Sequence, residues 1–337
     1  MRTVATRYII VRFLMLIPAT LIASIIIFTV MRSLPGDVVI VILSGSGEAT
    51  HSLEVREGLR EELGLNEPGV TQYLKWLVRM TNGEMGGRSL IDGQSIQSLI
   101  SQQLPVTTLL LLYAILLSTI IWVPLGVLAA WTQGKWVDYA VRFVALPGGA
   151  IPSFVLALVI LLALLLLLDW SPPIIYTGPF DDPITHLQLV WCPTVLLVWG
   201  CGSTILRITR ASMLSVLHEN YILVARAKGV PPTLIVLRHA IPNALAPVIS
   251  TLGLQLGILL STLMILEPIF GLPGIGRGII DAAITRDLPF IQSIATLLVL
   301  AVLVLNLTLD ITSKFLTSGR FSLENPVQWL LRTKPHG

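Results

Sequence analysis

Six apolar runs, charge-free apart from Arg12 near the start of the first, constrain this chain more than any other feature. They are roughly Ile9 to Met31, Leu104 to Trp131, Phe143 to Leu168, Leu187 to Leu206, Ala240 to Leu266 and Pro289 to Leu309. Each approaches or exceeds the ~20 residues that cross ~30 Å of hydrocarbon as a helix. Charged residues make up 12% of the 337 positions, where a soluble domain has about 25%. An all-α polytopic membrane protein with six spans is therefore expected. Pro18, Pro124, Pro152, Pro193 and Pro247 fall inside the runs. In a bilayer, neighbouring helices satisfy the backbone groups that proline frees. The first run is too long for a signal-peptide core and Met31-Arg32-Ser33 is a poor cleavage site, so a retained first span is expected.

Six spans place both termini on one side. Lys and Arg number 14 on that side and 8 on the other, while Asp and Glu number 4 and 15. The excess of cations predicts that both termini and the basic stretch Arg207 to Pro242 face the cytoplasm. Arg32 to Leu104 then forms an insertion outside the membrane. Leu34-Pro-Gly-Asp37 signals the turn that opens it. Leu53, Leu59 and Leu63 fall on one face of a helix ending at Gly64, and Tyr73, Leu74, Leu77 and Val78 form a second stripe. Packing on the span ends and contact with an external partner are both open for this insertion.

Catalytic and metal chemistry find no support. His51, His186, His218, His239 and His336 are scattered, none at i,i+4 spacing with another ligand. Cys192 and Cys201 lie nine residues apart in one run, on opposite helix faces, and read as buried small hydrophobes. No Walker A motif occurs, and the glycines of Gly271 to Gly278 read as a sharp re-entrant turn. Glu267, at the end of the fifth span, and Asp310 with Asn306, at the end of the sixth, are the few polar candidates for a pathway or gate. Ion-coupled transport would want acidic groups nearer the midplane. For Trp329, Leu330 and Leu331 of the tail, headgroup contact and disorder are both open.

Leu214, Leu217, Tyr221 and Val224 recur at spacings of three, four and three, which predicts one amphipathic helix from Ser212 to Lys228. Arg226 and Lys228 suit its C-terminal dipole, Gly229 its C′ position, and Pro231-Pro232 prevent its continuation. A second helix is expected from about Thr233 into the fifth span. Helix, stop and helix form a cytoplasmic knob, open to docking either on anionic lipid or on a protein.

The spacing Ala225-x-x-x-Gly229, with Ile241-Pro242 following, resembles the cytoplasmic signature of binding-protein-dependent ABC importer permeases. That signature reads Glu-Ala-Ala, three residues, Gly, nine residues, Ile-x-Leu-Pro. Leu223, Val224 and His239 depart from it. Asn220-Tyr-Ile-Leu-Val-Ala-Arg-Ala-Lys-Gly-Val230 is more similar to the peptide and nickel transport branch, which usually lacks that glutamate. Leu63-Gly-Leu65, Gln72-Tyr-x-x-Trp76, Leu104-Pro-x-Thr107, Pro124-Leu-Gly-Val127, Ile151-Pro-Ser-Phe154, Glu267-x-x-Phe270-x-x-Pro273-Gly-x-Gly276-Arg277 and Asn306-x-x-x-Asp310 fall in the same order as in that branch.

The resemblance implies a type I ABC importer permease, the first of a non-identical pair. Its expected division is residues 1–103 as first helix plus extracytoplasmic insertion, 104–316 as permease core and 317–337 as cytoplasmic tail. Its implied partners are a second homologous permease, two ATP-binding subunits that hold ATP and Mg, and an extracytoplasmic solute-binding protein. No cofactor, catalytic residue or nucleic acid belongs to the chain itself. The implied location is a bacterial or archaeal cytoplasmic (inner) membrane. ATPase coupling is placed on Glu219, Tyr221, Ala225, Arg226, Lys228, Gly229 and Pro242, with Asp310 pairing Arg207 or Arg210. Di- or oligopeptides are the expected substrates. The alternatives are nickel, glutathione or another small solute within the same family, and an ion-coupled secondary transporter outside it.

Overall fold

The computed structural model describes residues 2–33, 39–40, 43, 53–62, 64–91 and 93–321, with side chains from Phe13 to Ser313. The Leu34 to Asp37 turn, Leu63, His51, His336 and the Trp329 to Leu331 segment lie outside the described residues. Twelve helices are used below: α1 (Arg2–Ser33), α2 (Leu53–Glu62), α3 (Gly69–Thr81), α4 (Ile96–Trp131), α5 (Trp136–Ala150), α6 (Ser153–Leu168), α7 (Pro183–Leu217), α8 (Asn220–Ala227), α9 (Pro232–Leu234), α10 (Ile241–Ile269), α11 (Ile275–Thr285) and α12 (Leu288–Phe321). Among the described residues the one β feature is an isolated antiparallel bridge between Arg88 and Ser95.

Among the described residues five helical segments are long and apolar enough to span a membrane: Phe13–Ser33, Ile96–Trp131, Pro183–Leu217, Pro232–Ile269 and Leu288–Ser313. The expected third span is different. It is two helices, α5 and α6, bent by 101° at a short break. The cause is local: Ile151 precedes Pro152, and the proline ring disfavours the helical region for its predecessor. Ile151 accordingly has φ −99° and ψ 131°. The bent pair supplies a sixth candidate span.

The chain divides into two compact units. The first comprises Met1–Tyr113, Phe154–Thr194 and Leu260–Val304. Its core joins Ile96 and Ile100 of α4, Ile275 and Ala282 of α11, and Phe290, Ile291 and Ile294 of α12. The insertion is fastened to this core. Trp76 on α3 donates its indole N–H to Ser293 Oγ on α12 at 3.0 Å. Gly86 fits closely there, since a β-carbon on it would meet Ser293 and Trp76. Asp287 receives the Ser89 hydroxyl and, at 3.2 Å, the Leu90 N–H. The same carboxylate caps α12 through Phe290 N–H at 3.4 Å. Of the expected stripe, Tyr73 is half-buried but Leu74 and Val78 point outward, and Trp76 is the buried anchor instead. The stripe matched a helical period, but the polar contact available to an indole chose the face.

The second unit comprises Ala114–Ser153, Val195–Leu259 and Leu305–Gly337. Small residues let its helices close on one another. A β-carbon on Gly148 would lie 2.2 Å from the Trp199 carbonyl oxygen, and one on Gly202 would lie 2.3 Å from the Trp122 ring. The indoles return hydrogen bonds: Trp122 N–H to Val198 O at 2.7 Å and Trp199 N–H to Val144 O at 2.8 Å. In lipid there is no hydrophobic drive between apolar helices, so close approach and such bonds supply the association. Cys192 and Cys201 are buried free thiols, as expected.

Gly202→Val should force the Trp122 ring aside at an overpacking cost of about 1–3 kcal/mol. Gly257→Ala, where no atom lies within 4 Å of the added carbon, should be neutral. Thermal unfolding in detergent distinguishes the two, and equal midpoints would refute close packing at Gly202.

Candidate functional site

The basic stretch does not form the single helix expected from Ser212 to Lys228. α7 runs on to Leu217, the chain turns at His218 and Glu219, and α8 begins anew at Asn220. Glu219 has extended backbone, φ −69° and ψ 147°, and its carbonyl accepts the Ile222 N–H at 3.0 Å. The Leu214/Leu217 face and the Tyr221/Val224 face thus sit on two helices. Leu214 and Leu217 pack with Val127, Val216 and Ile241 against a core of Ala130, Met213, Val236, Ala240 and Ala244. The turn explains the difference: a spacing of four carries across a break as readily as along a helix.

α8 is held by Ile222, which is fully buried. Its end is a Schellman motif, with Gly229 N–H to Arg226 O at 3.0 Å and Val230 N–H to Ala225 O at 3.2 Å. Gly229 has φ +76°, a conformation that favours glycine. Tyr221 and Val224 are 44% and 52% exposed, and Lys228 continues the same outward face. Ala225 is half-buried. Leu223 and Arg226 border a cavity of about 580 Å³ whose other walls include Trp131, Leu217 and His218. The return path is irregular. After α9, residues Ile235–Ala240 form a π-turn that leads into α10. Pro242 follows directly; its ring would press on the Arg238 carbonyl in a regular α-turn, and the widened turn relieves that contact.

The C-terminal end of α7 is clamped by a residue the sequence reading did not single out. Asp138, in the first turn of α5, is 1% exposed and receives Arg210 Nε at 2.8 Å and Nη2 at 2.7 Å. Arg142 Nε adds a contact at 3.1 Å and the Gly134 N–H another at 3.1 Å. Arg210, one of the two arginines expected opposite Asp310, is thus a bidentate partner of Asp138. Asp310 is half-buried on α12. Asn306 turns toward α10, with its Oδ1 2.9 Å from where a Gly253 β-carbon would stand.

Glu267 belongs to the first unit and is completely buried. Its Oε1 receives the Thr107 hydroxyl at 2.6 Å, and its Oε2 receives the N–H of Gly276 at 2.6 Å and of Arg277 at 3.2 Å. Thr107 Oγ1 in turn accepts the Ile275 N–H at 2.9 Å. Together they satisfy the first backbone donors of α11, which no residue of that helix can reach. The glycines around it serve approach as well as turning. Gly271 has φ +68°, but β-carbons on Gly274 and Gly276 would lie 2.3 Å from Glu267 and Met264 respectively. Glu267 stands at the span end where the sequence places it, but it is buried there and holds a helix start. The signal in the sequence was the joint occurrence of Thr107, Glu267 and three alternate glycines.

An all-helical chain with five or six spans, small-residue helix contacts and a short, rigid, outward-facing helix between two spans describes a permease. The chain belongs to the family of binding-protein-dependent transport system inner membrane components, whose pattern it matches over residues 122–320. It is 36% identical over 313 residues to the oligopeptide transport system permease protein AppB of Bacillus subtilis, covering 90% of this chain and 96% of that one. It is also 36% identical to the oligopeptide transport system permease protein OppB of Escherichia coli K12, over 86% of this chain and 91% of the relative. A chain of the MetNI methionine ABC transporter in an inward-facing conformation shares the fold, with TM-score 0.53 and 18% identity over 65% of this chain and 96% of that one. The protein is thus a permease subunit of a binding-protein-dependent ABC importer, with the type I permease fold expected from its sequence.

Two outcomes follow from the site geometry. Thr107→Val and Glu267→Gln should each destabilise the protein, and the double variant should fall short of their sum by about 1.5–3 kcal/mol, as for a hydrogen bond to a charged group. Thermal unfolding of the four proteins measures this, and simple additivity would contradict the contact. Asp138→Ala should cost about 1.5–3 kcal/mol, as for the loss of a hydrogen bond to a charged group, since water reaches both arginines, and Asp138→Arg with Arg210→Asp should recover part of it.

Proposed function

We propose that this permease imports di- or oligopeptides, as the first of two non-identical permease subunits, and that α8 is the element through which ATPase subunits drive it. The observation that carries the coupling reading is α8 itself. A short helix anchored by Ile222 and locked by Gly229 presents Tyr221, Val224 and Lys228 outward. A lipid-adsorbed helix needs no such stop, whereas a helix that transmits force to its spans does. Ala225 allows close approach, Glu219 and Arg226 flank the contact, and Pro242 sets the return into α10. ATP and Mg belong to the partner subunits. Closure of the ATPase pair moves the knob as a rigid body, and the spans exchange inward and outward states.

The excess of Lys and Arg supports both termini in the cytoplasm, with residues 1–103 contributing the first helix and an extracytoplasmic insertion, 104–316 the core and 317–337 the tail. A solute-binding protein delivers substrate on the insertion's side. Peptides are favoured over nickel or glutathione by the oligopeptide permeases among the relatives. The buried, backbone-bound state of Glu267 speaks against its use as a pathway carboxylate. Asn306 and Asp310 are the pathway or gating candidates on α12.

Gly229→Asp should abolish import by the reconstituted complex while membrane insertion persists, because an aspartate at φ +76° strains the stop and adds charge at the contact. Normal import with normal ATPase stimulation would refute the coupling role. Binding of a panel of peptides, glutathione and nickel chelates to the cognate binding protein tests the substrate; exclusive metal or glutathione binding would overturn the peptide reading.

A further inference from the structure

The first unit contains a cavity of about 260 Å³ lined by α1, the α2–α3 region and the start of α12. Specific contacts hold the helices around it. Ser24 and Tyr73 share a hydrogen bond of 2.8 Å between hydroxyls, and Phe28 meets Tyr73 edge-on at 5.4 Å. Trp76 stands beside Tyr73 and binds Ser293 on α12.

The polar groups of the cavity are unequal in sign. Arg32, Lys75 and Arg79 face Glu61 and Glu67. Lys75 is already paired with Glu67. Among the described residues, neither Arg32 nor Arg79 has a carboxylate within ion-pair distance. Arg32 instead lies 5.4 Å from the centre of the Phe28 ring. Gln292, 5% exposed, also lines the cavity, and its Nε2 has no hydrogen-bond partner. A buried amide donor without a partner is costly. Two guanidinium groups and an amide N–H define a site for an anion with several acceptor oxygens.

The height of the cavity selects the source of that anion. Arg32 is one residue from the end of the span Phe13–Ser33, and Gln292 is in the first turns of the span Leu288–Ser313. The cavity is therefore level with lipid headgroups on the insertion's side of the membrane. Below it, α1 leaves Ile17, Ile22 and Ile26 exposed for acyl chains. The geometry points to a binding site for the headgroup of one anionic phospholipid, its phosphate held by Arg32 and Arg79 with Gln292 as a further donor. The lipid joins α1 to the insertion and to α12.

The test uses the full chain in nanodiscs of phosphatidylcholine with a minor share of phosphatidylglycerol. Native mass spectrometry after transfer to detergent reads which lipid stays bound. The wild type should retain phosphatidylglycerol over phosphatidylcholine by about tenfold, the effect of one charge-assisted bond. Arg32→Ala with Arg79→Ala should lose that preference. Gln292→Met, which keeps side-chain length, should weaken it and serves if the double variant does not fold. Equal retention of both lipids, or an unchanged preference in the variants, overturns the proposal. Displacement of the lipid by millimolar glycerol 3-phosphate or diglycine, with equal stabilisation by them in pure phosphatidylcholine, assigns the site to a soluble anion and also overturns it.

Discussion

A single carboxylate organises the first unit. Glu267 is buried at the end of α10, where water cannot solvate it, and its side chain receives hydrogen bonds from two other parts of the chain. Thr107 brings α4, and the N–H groups of Gly276 and Arg277 bring the start of α11. Leaving a buried acceptor or a helix start unpaired costs more than a made bond returns. The three elements consequently take one arrangement, and the glycines at 274 and 276 are the sterically permitted residues beside it. Asp287 repeats the logic at the next helix start, joining the α12 cap to the Ser89–Leu90 backbone of the insertion.

The second unit relies on a different solution. Its helices touch through glycines set against Trp122 and Trp199, whose indole N–H groups find carbonyls on the facing helix. An ionic cluster, buried Asp138 with partly exposed Arg210 and exposed Arg142, fixes the end of α7 from which α8 departs. The coupling role proposed for α8 would need a stiff attachment. The apolar core under Leu214 and Leu217, the Schellman stop at Gly229 and the ionic clamp supply it from three directions.

Much of this was legible in the residues alone. Hydropathy located five spans, the Gly229 stop and the apolar nature of both cysteines, because each depends on local composition or on one backbone position. Two readings missed a break in the helix for a common reason. Phe143 to Leu168 was continuous in hydropathy yet is bent by 101° at Ile151-Pro152. Ser212 to Lys228 kept a helical period yet turns at Glu219. Periodicity reports which residues are apolar and is blind to a change of axis. Glu267 was visible as an odd acid at a span end, but its role depended on Thr107, 160 positions away.

The sequence by itself determined the membrane class, the number of candidate spans, the asymmetry of charge and the family, since these rest on composition and on ordered short motifs. Tertiary structure alone decided that Glu267 is a helix clasp, that Asp138 holds Arg210, that Trp76 anchors the insertion, and that Arg32, Arg79 and Gln292 share one cavity. Each of these joins residues far apart in the chain. Their pairing is set by which helix faces meet, and a linear pattern of apolar residues does not record it.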